Sequence, residues 1–355
     1  MKGQIALIIP ALNPEEALLA YVQDCIDHGF SHIVVVDDGS VAEYGTVFAQ
    51  LDSCEGVTVL HHEQNFGKGR ALKTAFSFCR QQAEKWQIVG VITVDSDGQH
   101  HIEDVCRMSE AMDEESLVLG CRDLLDENVP PKSRFGNLLT CRVFRLLYGK
   151  WISDTQTGLR GIPLSHLELM MQVRGERYEY ETEMLITVVR NKIPIKEISI
   201  ETIYIEENAG THFRPVVDSV KIYAVMLKRF LLFTFFSLSS FFLDVLAFSI
   251  LNYFMFSKLP QAERIFWATI VARICSSIFN FTMNRKVVFQ TSGRIGVQIL
   301  KYYCLVVVQM LASAKLVTML VNILPFADTV VKMIVDTILF LISYQIQQRW
   351  IFRSE

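Results

Sequence analysis

The chain has 355 residues, 51% of them hydrophobic, and a formal net charge of −4. A sequence pI near 6.1 and a mean hydropathy of +0.28 give no footing for nucleic acid and are too apolar for a wholly soluble protein. The apolar excess begins after about Arg229, which implies one globular domain followed by a membrane domain.

Residues 5–9 predict a short buried strand. The run is too brief for the apolar core of a signal peptide, and Pro10 breaks it. Asn13 reads as the N-cap of a helix with Pro14 at its first position, closing near His28 and Gly29. Residues 33–36 form a second strand that ends in Asp37-Asp38-Gly39-Ser40, and residues 57–60 a third. The next helix opens at Asn65-Phe66-Gly67-Lys68-Gly69-Arg70. Glycines at a helix N-terminus beside Lys68 and Arg70 suit a phosphate-bearing ligand, although a glycine turn with a solvated lysine fits this segment equally. The P-loop pattern is not met. Residues 91–94 predict a strand running into Asp95-Ser96-Asp97-Gly98-Gln99. Two carboxylates and the Gln99 carbonyl suit Mg²⁺ or Mn²⁺, while a polar turn capped by Asp explains the segment alone. Strands alternating with helices predict an α/β, parallel, doubly wound sheet. Its strand ends fall on one side, so Asp37, Asp38, Asp95 and Asp97 converge. The pairs His61-His62 and His100-His101 receive no role. Eight cysteines without paired metal spacing read as reduced thiols of a cytoplasmic protein.

Ile9-Pro10-Ala11-Leu12-Asn13, Val36-Asp37-Asp38-Gly39-Ser40, Asn65-x-Gly-Lys-Gly and Asp95-Ser96-Asp97-Gly98-Gln99 resemble, in that order, the motifs of family-2 glycosyltransferases. Within that family the chain looks like the dolichol-phosphate mannose synthase and polyprenyl-phosphate glycosyltransferase branch. That resemblance implies a GT-A (Rossmann-like) catalytic domain binding a nucleotide sugar at the strand ends. Pro10, Asn13, Asp37 and Asp38 would contact the base and ribose, with Lys68, Asp95 and Ser96 also on the donor. Asp95, Asp97 and Gln99 would hold the metal on the diphosphate.

Downstream, residues 117–121 read as a strand followed by Arg122, and Pro131-Lys132-Ser133-Arg134 opens a basic helix. Arginine forks suit phosphate, and the family places its lipid-phosphate site here. Arg122, Lys132, Ser133 and Arg134 are the acceptor candidates, and a cationic surface helix is the alternative. Asp154-Thr155-Gln156-Thr157-Gly158-Leu159-Arg160 resembles the family's Asp-x-x-x-Gly-x-Arg segment near the reacting centre. A phosphate acceptor is already ionised at neutral pH, so Asp154 reads as positioning and electrostatic rather than as a base. With Arg122 and Arg134 it completes the expected catalytic set. Glu181 and Glu183 open a further helix, where the helix dipole alone accounts for them. Residues 195–205 read as a strand or hairpin. After it, Gly210-Thr211-His212 stands where mannose synthases carry Arg-x-x-Gly-x-Ser-Lys, which weakens a guanosine-diphosphate mannose assignment.

Residues 1–214 are thus expected as the catalytic domain, 215–229 as an amphipathic interface helix or linker, and 230–355 as a membrane domain. Four apolar spans, about 230–256, 265–289, 297–324 and 329–352, are each long enough to cross a bilayer. Lys228, Arg229, Arg285, Lys286, Arg294, Lys301, Arg349 and Arg353 fall at one set of ends, which puts the catalytic domain and both termini in the cytoplasm. Residues 281–287 and 345–351 echo one another, so two related hairpins are expected, resembling GtrA-type membrane domains. Asp244 and Arg273 lie too deep to snorkel and are expected to pair inside the bundle. Gln348-Arg349-Trp350 lacks the glutamine spacing of processive polysaccharide synthases and follows a membrane span, so it reads as an interface anchor.

The resemblance implies inverting, metal-dependent transfer of one sugar, a UDP-hexose favoured, to polyprenyl (undecaprenyl or dolichyl) phosphate. The alternatives are a GDP-mannose-dependent mannose synthase and a lipid-linked sugar flippase. The oligomeric state is left open, a homo-oligomer included.

Overall fold

Ile5, Leu7 and Ile9 are fully buried on one side of a strand, and Ala6 and Ile8 on the other. A strand apolar on both faces belongs in the middle of a covered parallel sheet. The computed structural model places it there. It describes residues 2–124, 129, 131–201, 215–321, 323 and 327–352, with the backbone alone for 2, 131–133 and 215–217. The chain divides into two compact units, 1–226 and 227–355.

Among the described residues of the first unit, seven strands run β1 (Ile5–Ala11), β2 (His32–Asp37), β3 (Val57–His61), β4 (Gly90–Thr93), β5 (Leu117–Arg122), β6 (Arg160–Pro163) and β7 (Ile195–Ile200). Their spatial order is β3-β2-β1-β4-β6-β5-β7. Six strands share one direction, while β6 pairs antiparallel with both β4 and β5. The sheet is therefore mixed rather than wholly parallel. β6 has only four residues, and their alternation could not reveal a direction. Its antiparallel course brings the segment before it, Asp154 to Leu159, to the edge where the other strands end, with Arg160 opposite Thr93.

The helices of this unit are α1 (Ala17–Asp27), α2 (Gly45–Asp52), α3 (Lys68–Trp86), α4 (Ile102–Ala111), α5 (Pro131–Tyr148), α6 (Leu164–Met171) and α7 (Glu179–Arg190). Leu18, Val22 and Cys25 of α1, Phe48 and Leu51 of α2 and Val105 and Met108 of α4 pack on Ile5, Leu7, Ile9, Ile33 and Val35. Each such side chain contributes about 1.5–3 kcal/mol of burial. Asn13 does not cap α1. The cap position is Glu16, and Asn13 adopts a positive φ of 49°. Its side-chain oxygen, the atom that would cap, accepts from Val41 N instead, and the helix starts at Ala17, three residues after Pro14.

In the second unit, α8 (Pro215–Ile250), which begins in the first, is followed by α9 (Gln261–Met283), α10 (Ile295–Val321) and α11 (Asp328–Ile346). The stretch expected as an interface helix is the first part of α8, which continues unbroken to Ile250. All four helices are long and apolar enough to cross a membrane. Ala268 and Ala272 are fully buried on α9, as small residues allow close helix approach in a bilayer. One-turn π segments follow α8, α9 and α11, at Leu251–Met255, Asn284–Val288 and Gln347–Ile351.

A spatial repeat underlies the sequence echo, shifted by one residue from the register in which 281–287 matches 345–351. Asn284 and Gln347, sixty-three residues apart, begin the π segments after α9 and α11, and the Asn284 side chain donates to Gln347 Oε1 at 3.1 Å. Phe289 and Phe352, again sixty-three apart, stack at 5.2 Å. Phe281 meets Phe352 at 5.6 Å, just as Tyr344 meets Phe289 at 6.0 Å. Equivalent residues that touch each other lie on a pseudo-twofold axis.

Candidate active site

The C-terminal edge of the parallel strands carries Asp37, Asp38, Asp95 and Arg122, beside the point where chain order reverses around β1. Crevices of this kind bind ligands in open α/β sheets. Asn13 closes the first corner. Its backbone N–H donates to Ser40 Oγ at 2.9 Å, and its Oδ1 accepts from Val41 N at 3.0 Å. Asp37 accepts from Ser40 N at 2.8 Å and meets His61 Nδ1 at 3.0 Å. These contacts hold its carboxyl below the usual carboxylate range, although burial opposes them.

Asp38 is buried and its carboxylate faces the glycine loop. Oδ1 accepts from Phe66 N at 3.1 Å and Oδ2 from Gly67 N at 2.7 Å, while His62 Nδ1 stands 2.8 Å from Oδ1. Gly67 has φ 107°, and a Cβ there would strike the Glu176 carbonyl, so only glycine passes the chain through this point. The fixed loop delivers Lys68 to the centre of the site. Lys68 Nζ lies 2.6 Å from Asp95 Oδ1 and 3.0 Å from Glu181 Oε1. Burial would lower the Lys68 pKa, but the two carboxylates outweigh it and raise it. Asp95 likewise resists burial through the Lys68 ammonium and is held far below the usual carboxylate range. Asp97 moves the opposite way, raised by burial and by the adjacent Asp95 charge. Its Oδ1 accepts from Gln99 N at 3.1 Å.

Gly158 packs against the Asp95 carboxylate so closely that a Cβ would come within 2.3 Å of Oδ2. Four residues earlier, Asp154 is fully buried and grips Arg122 with both oxygens. Nε donates to Oδ2 at 2.6 Å and an Nη to Oδ1 at 3.1 Å. The paired fork fixes the guanidinium plane. Arg160, also fully buried, donates to the Glu181 backbone carbonyl at 2.6 Å and to Thr157 O at 2.9 Å. It thereby holds the Glu181 turn against the β6 entry.

The structure thus links Asp38, Lys68, Asp95 and Glu181 in one chain of contacts and sets the Arg122–Asp154 pair beside it through Gly158. Pro10 is the penultimate residue of β1, and Ser96 and Gln99 lie between the end of β4 and α4. Arg134 sits half-buried in the first turn of α5, and the Lys132 and Ser133 side chains lie outside the described residues. So does Gly210-Thr211-His212. The roles of His61, His62 and Arg160 went unread in the sequence, as did the link between Glu181 and Lys68. Each depends on a partner at least 21 residues away. The signal for the histidines was their place at the end of β3, beside the carboxylates that end β2.

A divalent cation suits this donor set. Asp95 already attracts a cation, Asp97 lies two residues on, and both are hard oxygen donors. Nearby, His100 is buried with Nε2 3.5 Å from Asp95 Oδ2, and neither ring nitrogen has a hydrogen-bond partner among the described residues. No group of three or more His, Cys, Asp or Glu gathers for a metal among the described residues. Mg²⁺ commonly takes one or two carboxylates and completes its shell from substrate phosphates.

Residues 6–162 match the model of glycosyl transferase family 2, and residues 233–352 that of the GtrA/DPMS transmembrane domain. Three of the relatives illustrate the likeness. The UDP-N-acetylglucosamine–dolichyl-phosphate N-acetylglucosaminyltransferase of Methanococcus voltae is 32% identical over 221 residues, 57% of this chain and 86% of that protein. The dolichyl-phosphate beta-glucosyltransferase of Homo sapiens is 25% identical over 57% of this chain and 68% of its own. The polyprenol monophosphomannose synthase of Mycolicibacterium smegmatis is 26% identical over 55% and 75%.

Proposed function

The chain belongs to glycosyl transferase family 2 and ends in a GtrA/DPMS transmembrane domain, and from that premise we propose that it moves one sugar from a nucleotide diphosphate donor to a polyprenyl phosphate. The observation that carries this reading is the arginine fork held by a buried aspartate beside a lysine–carboxylate cluster. One group is suited to an acceptor phosphate and the other to a donor diphosphate. Relatives named for dolichyl-phosphate and polyprenol acceptors support the same acceptor class.

The acceptor phosphate oxygen forms the new bond to the anomeric carbon. The bond from that carbon to the diphosphate breaks, and its electron pair leaves with the nucleoside diphosphate. The configuration inverts. An ionised phosphate needs no base, so Asp154 acts by orienting Arg122. Lys68 stands ready to face the departing diphosphate, with Glu181 holding it in place. Asp95, Asp97 and Gln99 would hold Mg²⁺ or Mn²⁺, which when bound supplies further charge neutralisation on the diphosphate. Asp38 serves the donor indirectly by fixing the Lys68 loop, while Asn13 and Asp37 shape the corner for the base and ribose.

The donor is a UDP-hexose. The relative named for UDP-N-acetylglucosamine supports it, as does the lack of the mannose-synthase closing motif in the sequence. The basic ends of the spans, including Lys228, Arg229, Arg285, Lys286 and Arg349, support a cytoplasmic active site. Purified full-length protein in lipid, given undecaprenyl phosphate and a panel of labelled nucleotide sugars, tests the reading. Transfer to lipid is expected from a UDP-hexose, abolished by EDTA and restored by Mn²⁺ or Mg²⁺. Transfer from GDP-mannose alone overturns the donor assignment, and full activity in EDTA overturns the metal.

A further inference from the structure

The pseudo-twofold repeat leaves a charge where a bilayer does not tolerate one. Arg273 stands twelve residues into α9 and eleven before Asn284, at roughly 16 Å from the π segment, near mid-bilayer. The pairing with Asp244 is present, with Arg273 Nη2 at 3.3 Å from Asp244 Oδ2. It is not inside the bundle as the sequence suggests, because the Arg273 side chain is 73% exposed. A guanidinium at that depth cannot snorkel to either interface, and lipid tails do not solvate it. Something polar covers this face.

The second hairpin supplies the complement. Asp336 lies eleven residues before Gln347, as Arg273 lies eleven before Asn284, so the two charges sit at the same depth on faces exchanged by the axis. Phe233 packs on Tyr344 at 5.2 Å as Tyr302 packs on Phe281 at 5.4 Å. That pairs α8 with α10 at a spacing of sixty-nine residues and makes Asp244 the counterpart of Ser313 and Ser240 that of Gln309. Ser313 donates to Asp336 at 2.6 Å. Both line an open groove of about 690 Å³ between α10 and α11, with Gln309, Met310 and Ala314. Lys332 reaches Asp336 at 2.8 Å but starts only four residues into α11, close enough for its stem to extend to the headgroups.

We propose that this chain self-associates within the membrane head to tail, the Arg273 face of one copy seating in the α10–α11 groove of the next so that Arg273 meets Asp336. Charge complementarity at matched depth selects a second copy over other occupants. A back-to-back dimer through the Arg273 face would set like charges together, whereas a heterologous contact between faces exchanged by a twofold repeats from copy to copy in a row. The groove provides Ser313 and Gln309 as further hydrogen-bond partners for the guanidinium.

The test uses the full chain in lipid nanodiscs and two differently tagged variants, Arg273→Asp and Asp336→Arg. Wild type is expected to self-associate, with more than one copy per disc by light scattering. Each variant alone is expected to lose self-association, at least tenfold in co-purification between tags, because every contact then pairs like charges. Co-expressed, the two variants are expected to assemble with each other, since each supplies the charge the other lacks. In that mixture Asp244 still lacks its arginine in one variant and Lys332 its aspartate in the other, so recovery reports pairing between copies. Wild type that is monomeric in nanodiscs overturns the proposal and points to a lipid headgroup on the groove. Single variants that still assemble overturn this face as the interface. A mixture that fails while both variants retain helical circular dichroism and nucleotide binding overturns the pairing of Arg273 with Asp336.

Discussion

Lys68 and Arg122 both reach the strand-end rim already bound to carboxylates, and their partners determine what each can do. Asp154 is buried and charged, so removing Arg122 altogether would leave an uncompensated carboxylate in the core, at about 3–5 kcal/mol. Arg122→Lys separates recognition from folding, because it keeps a cation opposite Asp154 and loses only the planar fork. The expected result is an apparent KM for polyprenyl phosphate raised about tenfold or more, with the nucleotide-sugar KM changed less than about twofold. Equal rises in both would remove Arg122 from the acceptor side. At this scale the sequence was informative about residue types and poor about partners. Asp95 and Asp97 announce themselves by spacing. The bond from Lys68 to Glu181 spans 113 residues and the Asp154 grip on Arg122 spans 32, distances that no local pattern encodes.

Elements matter here for what they position. The β2 end is tied to the start of α3 through Asp38, whose carboxylate holds the amides of Phe66 and Gly67. Asp38→Ala should therefore act on the loop and not on chemistry directly. The buried Gly67 amide, the part-buried Phe66 amide and His62 lose their acceptor, at about 1–3 kcal/mol, and Lys68 is no longer held over Asp95. A drop of about 2–4 °C in melting temperature for each kcal/mol lost is expected, together with a raised donor KM and faster hydrogen exchange at Phe66 and Gly67. Unchanged exchange at those amides would contradict the assignment. Strands β1 to β5 were legible because short apolar runs end abruptly, at Pro10, Asp37, His61, Asp95 and Arg122. The direction of β6 was not, since four residues carry no signal of their own and antiparallel pairing is imposed by its neighbours. The helix start at Ala17 was misread because Asn13 commits its side-chain oxygen and its backbone N–H to Val41 and Ser40, 28 and 27 residues away.

On the scale of the whole molecule, one chain joins a sugar-transfer sheet to a membrane unit built from two equivalent hairpins. The repeat was visible in sequence as an echo between residues 281–287 and 345–351, but its axis emerges only from Asn284 touching Gln347 and Phe289 stacking on Phe352. A phosphate-suited fork near a diphosphate-suited cluster makes a definite claim about bonds: the acceptor oxygen attacks carbon, not phosphorus. The identity of the released nucleotide tests that claim most directly. Full-length protein in lipid with a UDP-hexose and undecaprenyl phosphate should release one UDP for each lipid-phosphate hexose found by mass spectrometry, with the anomeric centre inverted. Release of UMP with a lipid diphosphate sugar would mean attack at phosphorus, and it would contradict the account.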